Sequence, residues 1–217
     1  MMRTRVKICG VRRLEDARLA SELGADAIGF VFWPASPRFV DPERARAIVA
    51  ELPPFVSAVG VFVDQTQEYI NGVAGLVKLS AVQLHGHEQP DSYSRSRYRV
   101  IKAVPVTGNF NAARACNELP ATATMLLDAH DPIRRGGTGR AIDWTVATAA
   151  ARLRPIILSG GLNPSNVSEA IDRVRPYAID LSSGVESSPG VKDHDKLRHL
   201  FTVLDDPRLD PDNLATL

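Results

Sequence analysis

Val6-Lys7-Ile8-Cys9-Gly10 is a short, largely apolar run that ends at a glycine, and seven more short apolar runs follow along the chain. Each run is bounded by Gly, Pro or polar residues. Continuous apolar runs of this length are typical of strands that are buried on both faces of a parallel sheet. We therefore predict eight strands, at Val6–Cys9, Ala27–Phe32, Ser57–Val63, Ala81–Leu84, Val100–Val104, Thr124–Asp128, Pro155–Ser159 and Ala178–Leu181.

A helical pattern follows every predicted strand. Asp41-Pro42 and Asn163-Pro164 each predict an N-cap with proline at the first helical position, and Gly24 predicts a C-terminal cap. The predicted helices are Leu14–Leu23, Pro42–Leu52, Gln67–Leu76, Asp91–Arg97, Asn111–Glu118, Asp143–Ala151, Pro164–Val174 and His194–Leu204.

Eight alternating strand-helix units predict an α/β fold of one domain, a (βα)8 TIM barrel. An open, doubly wound sheet is the competing architecture. Such sheets commonly carry a G-x-G-x-x-G fingerprint after the first strand, and Cys9-Gly10-Val11-Arg12 does not match it. The alternation therefore favours the closed barrel.

Composition limits the partners and the cellular setting. We expect the barrel to span residues 1–204 and the Asp- and Pro-containing residues 205–217 to form a poorly ordered tail. A formal charge of +1, with no apolar stretch near the roughly 18 residues of a membrane span, predicts neither a nucleic-acid nor a membrane partner. Cys9 and Cys116 lack metal-ligand spacing, which predicts no metal, no disulfide framework and a reducing cytoplasm.

Two glycine-containing loops follow the last two predicted strands. The first contains Gly160 and Gly161, and the second contains Ser183 and Gly184. Phosphate sites of barrels frequently lie in the loops after strands seven and eight, where backbone N–H groups hold the anion. Either loop alone could be a simple tight turn, but the two together indicate a phosphorylated ligand.

Cys9 and Asp128 end two predicted strands and can both transfer protons. The carboxyl ends of barrel strands meet at one mouth, so we expect an acid and a base facing one substrate. Asp128 would be the acid, kept protonated by an apolar setting, and Cys9 the base, aided by Lys7 or by the substrate. The competing interpretations are a packed core thiol for Cys9 and a helix cap for Asp128. The glycine-rich residues 129–140, which include Arg134 and Arg135, are predicted to close over the ligand.

Nine short motifs lie in order along the chain, most of them at the ends of predicted strands: Lys7-Ile8-Cys9-Gly10, Gly29-Phe30-Val31-Phe32, Ser36-Pro37-Arg38, Gly60-Val61-Phe62, Gln83-Leu84-His85-Gly86, Leu127-Asp128, Gly136-Gly137-Thr138-Gly139, Leu158-Ser159-Gly160-Gly161-Leu162 and Asp180-Leu181-Ser182-Ser183-Gly184-Val185-Glu186. Through these motifs the chain resembles the phosphoribosylanthranilate isomerase family of tryptophan biosynthesis. The resemblance implies an Amadori rearrangement without a cofactor, with Asp128 as acid and Cys9 as base. It further implies that Arg38 binds the anthranilate carboxylate, and that His85 and Asp180 contact the substrate.

Three other functions compete with this one. A histidine-pathway or dual-substrate sugar isomerase would carry Asp at the position of Cys9 and a second phosphate loop near the third or fourth strand. A catalytically silent phosphate-sugar binding barrel would not need Cys9 or Asp128. An aldol-lyase barrel would need a Glu after the second strand, where the chain has Phe32-Trp33-Pro34-Ala35. We expect a monomer or a homodimer.

Overall fold

The computed structural model describes residues 3–89, 98–129 and 142–205. Within these ranges, eight strands form a closed parallel barrel in chain order, which confirms the predicted (βα)8 fold class. The strands are β1 Arg5–Cys9, β2 Ala27–Val31, β3 Ser57–Phe62, β4 Ala81–Leu84, β5 Arg99–Val106, β6 Ala123–Ala129, β7 Ile156–Leu158 and β8 Ala178–Leu181.

The helices of the described ranges connect these strands on the outside of the barrel. They are α1 Leu14–Glu22, α2 Pro42–Val49, α3 Gln67–Val77, α4 Ala112–Glu118, α5 Trp144–Ala151, α6 Val167–Val174 and α7 His194–Leu204. The predicted helix Asp91–Arg97 lies outside the described residues, as does the tail from residue 206 onward. No described helix combines the length and the apolar character that crossing a membrane would need.

Helix starts follow the local chemistry, with one correction. The Asp41 side chain accepts from the backbone N–H groups of Glu43 and Arg44, so the predicted cap before Pro42 is confirmed. The same prediction at Asn163-Pro164 is wrong, because α6 begins only at Val167. The side-chain Oδ1 of Asn163 instead accepts from the backbone N–H and the hydroxyl of Ser165, which holds a turn before the helix.

The sequence patterns missed one feature after β8. A short 3-10 turn at Ser183–Val185 leads into an antiparallel ribbon of β9 Glu186–Ser188 and β10 Val191–Lys192. Strands of two or three residues show no readable periodicity, so the sequence gives no signal for them. This ribbon lies at the mouth of the barrel and contributes to the site.

Strand alternation divides the core into two parts. One set of strand residues faces the helices and forms the large outer core, which includes Ile8, Phe30 and Leu127. The other set faces the barrel interior. Its lower layer is apolar, formed by Val59, Ala81, Ile101, Ala103, Leu126, Ile157 and Ala178. Residues two positions further along these strands therefore also face inward, nearer the carboxyl ends.

Candidate active site

Polar side chains fill the carboxyl end of the barrel interior. Two positions beyond inward-facing Leu126 lies Asp128, and two beyond Ala178 lies Asp180. Cys9 ends β1 and packs against Val31 and Val61 in a small upper cluster. The predicted acid and base therefore lie at the same end of one barrel and are both buried. In the sequence, Cys9 and Asp128 are more than a hundred residues apart.

The Cys9 thiol shares its surroundings with a buried ion pair. Lys7 Nζ lies 2.9 Å from Asp180 Oδ1 and 3.0 Å from Oδ2, and the two side chains are only 4% and 5% exposed. Buried pairs of this kind contribute little to stability and are common at functional sites. Gly29 makes room for the group, because a Cβ there would lie 2.8 Å from Cys9 Sγ.

Burial raises the pKa of the Cys9 thiol above its ordinary value, and nearby Asp180 raises it further. The ammonium group of Lys7 acts in the opposite direction but does not outweigh burial. Burial alone would lower the pKa of Lys7, yet Asp180 and Cys9 together hold it above its usual range. Lys7 is thus close enough to aid ionisation, as predicted, but Asp180 offsets its charge.

We expect the free protein to hold Cys9 as a neutral thiol at pH 7. Since loss of the proton creates a buried charge, the thiolate should form only above the ordinary thiol range near about 8.5. The measurement is the 240 nm absorbance of the wild type minus that of Cys9→Ala across pH 6 to 11. A thiolate signal that is already complete at pH 7 would contradict this assignment.

Asp128 has one hydrogen bond and one close contact with a histidine. Its Oδ1 accepts from the backbone N–H of Ala129 at 2.9 Å, and its Oδ2 lies 3.2 Å from His85 Nε2. Gln83 Nε2 lies 3.0 Å from His85 Nδ1; in the His85 tautomer with its proton on Nε2, Nδ1 accepts from Gln83 and the proton faces Asp128. Asp128 does not cap the next helix, because Asp143 caps α5.

Arg38 reaches the same mouth from the loop after β2. Its Nε and Nη2 donate to the two carboxylate oxygens of Glu186 at 3.0 Å and 2.7 Å. The methylene groups of Arg38 cross Gly10, whose φ of +76° and close approach leave no room for a side chain: a Cβ would lie 2.6 Å from Arg38 Cδ. Arg38 is therefore neither isolated nor freely solvated.

The two predicted phosphate loops lie in direct contact. A Cβ on Gly184 would collide with the carbonyl oxygen of Leu162, so the second loop packs on the first only because it has a glycine there. Gly160 and Gly161 adopt φ values of +86° and +68°. Among the described residues, their backbone N–H groups donate to no acceptor. This geometry suits an anion.

Sequence reasoning missed Glu186, Lys192 and Gln83 as parts of the site. Lys192 lies on the short ribbon. In the sequence it is a single lysine after a valine, and such a pattern does not indicate a functional residue. Gln83 offered a better signal, because an amide within an otherwise apolar predicted strand has to find a partner. Residues 130–141, which include Arg134 and Arg135 and most of the segment predicted to close over the ligand, lie outside the described residues. Within the described ranges, no His, Cys, Asp and Glu side chains are grouped to hold a metal ion.

Comparisons with known proteins find relatives along most of the chain. The family described as PRAI, N-(5'phosphoribosyl)anthranilate (PRA) isomerase, matches residues 6–203. A protein named N-(5'-phosphoribosyl)anthranilate isomerase from Citrifermentans bemidjiense is 49% identical over 198 residues, which are 91% of this chain and 95% of the relative.

Two similar solved structures are informative about a ligand and about subunit association in the relatives. A phosphoribosyl anthranilate isomerase in complex with reduced 1-(o-carboxyphenylamino)-1-deoxyribulose 5-phosphate has a TM-score of 0.81 at 46% identity. Monomers generated from the dimeric isomerase of Thermotoga maritima also give a TM-score of 0.81, at 45% identity. Each comparison covers 93% of this chain and 98% of the other.

Proposed function

Because the chain belongs to the N-(5'-phosphoribosyl)anthranilate isomerase family, we infer that it is the isomerase of L-tryptophan biosynthesis that this family comprises. It converts N-(5-phosphoribosyl)anthranilate to 1-(2-carboxyphenylamino)-1-deoxyribulose 5-phosphate. The observation that carries this inference is the family match over residues 6–203. The arrangement of a thiol and a carboxyl group at one barrel mouth supports it.

We propose that Asp128 is the general acid and Cys9 the general base. Asp128 protonates the ring oxygen of the ribose, and the ring opens as the anilino nitrogen forms a Schiff base. The Cys9 thiolate then takes the proton from the adjacent sugar carbon, which gives an enolamine. Tautomerisation to the ketone adds a proton at one carbon and removes one from oxygen, and solvent exchange returns Asp128 and Cys9 to their starting forms.

The raised pKa of Cys9 makes the reactive form a minor one in the free protein. A group that must lose a proton to act gains activity as the pH rises toward its pKa. Lys7 supports this step, because its ammonium group lies beside the sulfur and offsets the new charge. Asp180 holds Lys7 in place and is proposed to contact the substrate, as is His85.

The remaining groups are proposed to bind the two ends of the substrate. Gly160, Gly161, Ser183 and Gly184 hold the phosphate through backbone N–H groups. Arg38 binds the anthranilate carboxylate. A guanidinium has five N–H donors, and Glu186 occupies Nε and one side of Nη2. The edge formed by Nη1 and the other side of Nη2 stays available for a bidentate carboxylate.

Arg38→Ala should raise KM for the isomerase substrate by about 10- to 100-fold, since a hydrogen bond to a charged group contributes roughly 1.5–3 kcal/mol. We expect kcat to fall less, because the chemistry takes place at the sugar. Initial-rate kinetics measure both constants. Arg18→Ala, which removes an exposed arginine paired with Glu51, is the matched control. An unchanged KM would remove Arg38 from the substrate site.

Turnover itself tests the proposed function. Purified protein should abolish the fluorescence of N-(5-phosphoribosyl)anthranilate, because isomerisation alters the chromophore. The two-phosphate substrate of the histidine-pathway isomerase is the competing arm. Isomerisation of that compound alone would overturn the proposal, and binding of the first compound without turnover would indicate a silent binding barrel.

We propose that two copies of the chain associate through the amino-terminal end of the barrel. Phe55, Leu153 and Tyr177 are exposed large hydrophobic residues that precede β3, β7 and β8, and Phe55 is 95% exposed. Burial of such side chains favours association. A second copy at this end leaves the opposite mouth open.

The free thiols Cys9 and Cys116 support a reducing cytoplasm as the compartment.

Phe55→Ser should convert this dimer to a folded monomer, because Phe55 is almost fully exposed in the single chain and does not pack in the barrel core. Light scattering coupled to size-exclusion chromatography measures the mass over a range of concentrations. Tyr69→Ser, at an exposed position in the first turn of α3 and therefore at the opposite end of the barrel, is the control and should remain dimeric. A monomeric wild type at high concentration would rule out the homodimer.

A further inference from the structure

Glu186 lies between the arginine proposed to bind substrate and a lysine with no free donor. Its Oε1 accepts from Lys192 Nζ at 2.9 Å, from Arg38 Nε at 3.0 Å and from Gly190 N at 3.2 Å. Its Oε2 accepts from Arg38 Nη2 at 2.7 Å. Four donors thus fix one carboxylate at the mouth of the barrel.

Lys192 fixes this carboxylate to the end of β1. Its Nζ donates to the backbone oxygen of Cys9 at 2.5 Å and to that of Ser182 at 3.3 Å, besides Glu186. An ammonium group has three protons, so these three acceptors use all of them. Lys192 is therefore unable to bind substrate directly, although it lies next to the catalytic sulfur.

We propose that Glu186, anchored by Lys192, is a positioning residue that turns the free edge of Arg38 toward the substrate carboxylate and sets its distance from Cys9. This proposal rests on the proposed function, since it assumes that Arg38 meets a carboxylate. It adds a residue whose role neither spacing nor strand position reveals.

The charges of the group favour positioning over a purely structural role. Burial alone would raise the pKa of Glu186, but Arg38 and Lys192 hold it below its usual range, so it stays ionised. Burial lowers the pKa of Lys192 despite Glu186. If Glu186 and Lys192 served only to hold the ribbon of β9 and β10 in place, two hydrophobic residues would do so at a lower desolvation cost. A buried, ionised carboxylate with both oxygens on Arg38 instead locks the plane of the guanidinium.

The test separates orientation of Arg38 from general stability. The probes are reduced 1-(o-carboxyphenylamino)-1-deoxyribulose 5-phosphate and the same compound without its carboxyl group. In the wild type we expect the carboxyl compound to bind more tightly by calorimetry. Glu186→Gln keeps the size of the side chain but places an NH2 group against Arg38 Nη2, a donor that cannot accept its proton.

We expect E186Q to weaken binding of the carboxyl compound by about tenfold, the loss of one charged hydrogen bond, and to leave the other compound within about threefold. Glu51→Gln, which breaks an exposed pair with Arg18, should change neither constant. Equal weakening of both compounds, or no weakening of either, would overturn the positioning role.

A second variant keeps the test decisive if Glu186→Gln fails to fold. Glu186→Gln leaves Lys192 buried without its counter-charge, whereas Glu186→Gln with Lys192→Met removes both charges of the pair. The double variant should show the same selective loss. Unfolding of both variants would assign Glu186 to the fold and overturn the proposal. A wild type that binds neither compound would instead overturn the proposed function.

Discussion

Cys9→Ala should reduce kcat by about 10² to 10⁴, because it removes the only proposed general base and positioned proton transfer typically contributes this much. The fold should survive. The side chain is small, lies at the end of β1, and packs in a minor cluster apart from the main core. Binding of reduced 1-(o-carboxyphenylamino)-1-deoxyribulose 5-phosphate should stay within a few-fold, since phosphate and carboxylate are held elsewhere.

The control for this variant is the other cysteine of the chain. Cys116 lies in α4, half-buried against the core, and Cys116→Ser should retain wild-type turnover. Fluorescence-monitored kinetics and calorimetry give turnover and binding on the same preparations. Turnover by Cys9→Ala within tenfold of the wild type would contradict the role of base. Loss of analogue binding together with turnover would indicate a collapsed site instead.

The fold was predictable because each unit carries its own signal. Short apolar runs, helix caps and strict alternation specify a parallel barrel without any long-range information. Errors occur where neighbouring strands override local preference. β5 was predicted to stop at Val104, but Pro105 and Val106 continue it because they pair with Asp128 and Ala129 of β6. At Asn163-Pro164, side-chain hydrogen bonds to Ser165 hold a turn where the dipeptide suggested a helix start.

The candidate site was predictable where it lies on the strands. Cys9 and Asp128 follow from strand ends, because parity alone sends their side chains into the barrel. Glu186 and Lys192 do not follow, since their role depends on contacts with Arg38 and with the end of β1, which are distant in sequence. Long-range pairs between charged loop residues leave no periodic trace in a single sequence.

Asp128→Asn should reduce kcat by about 10² to 10⁴, because an amide cannot protonate the leaving ring oxygen. Asn is a matched replacement in size, and its oxygen can still accept from the backbone N–H of Ala129. Its NH2 group, however, faces His85 Nε2, and the two donors oppose each other in the His85 tautomer that accepts from Gln83 at Nδ1. We therefore also expect a modest loss of stability.

Measurements on this variant have to distinguish loss of the proton donor from loss of stability. Asp172→Asn, an exposed position on α6, controls for the chemical change and should turn over normally. In Asp128→Asn, binding of the reduced analogue should persist while kcat falls, because the analogue has no ring to open. A parallel loss of binding and turnover would mean that Asp128 holds the substrate through its contact with His85. Unchanged kcat would remove Asp128 as the acid. Among the described residues, the other buried carboxyl groups at the mouth are Asp180 and Glu186, and each is paired with a Lys or Arg, so neither is available to replace Asp128 as a proton donor.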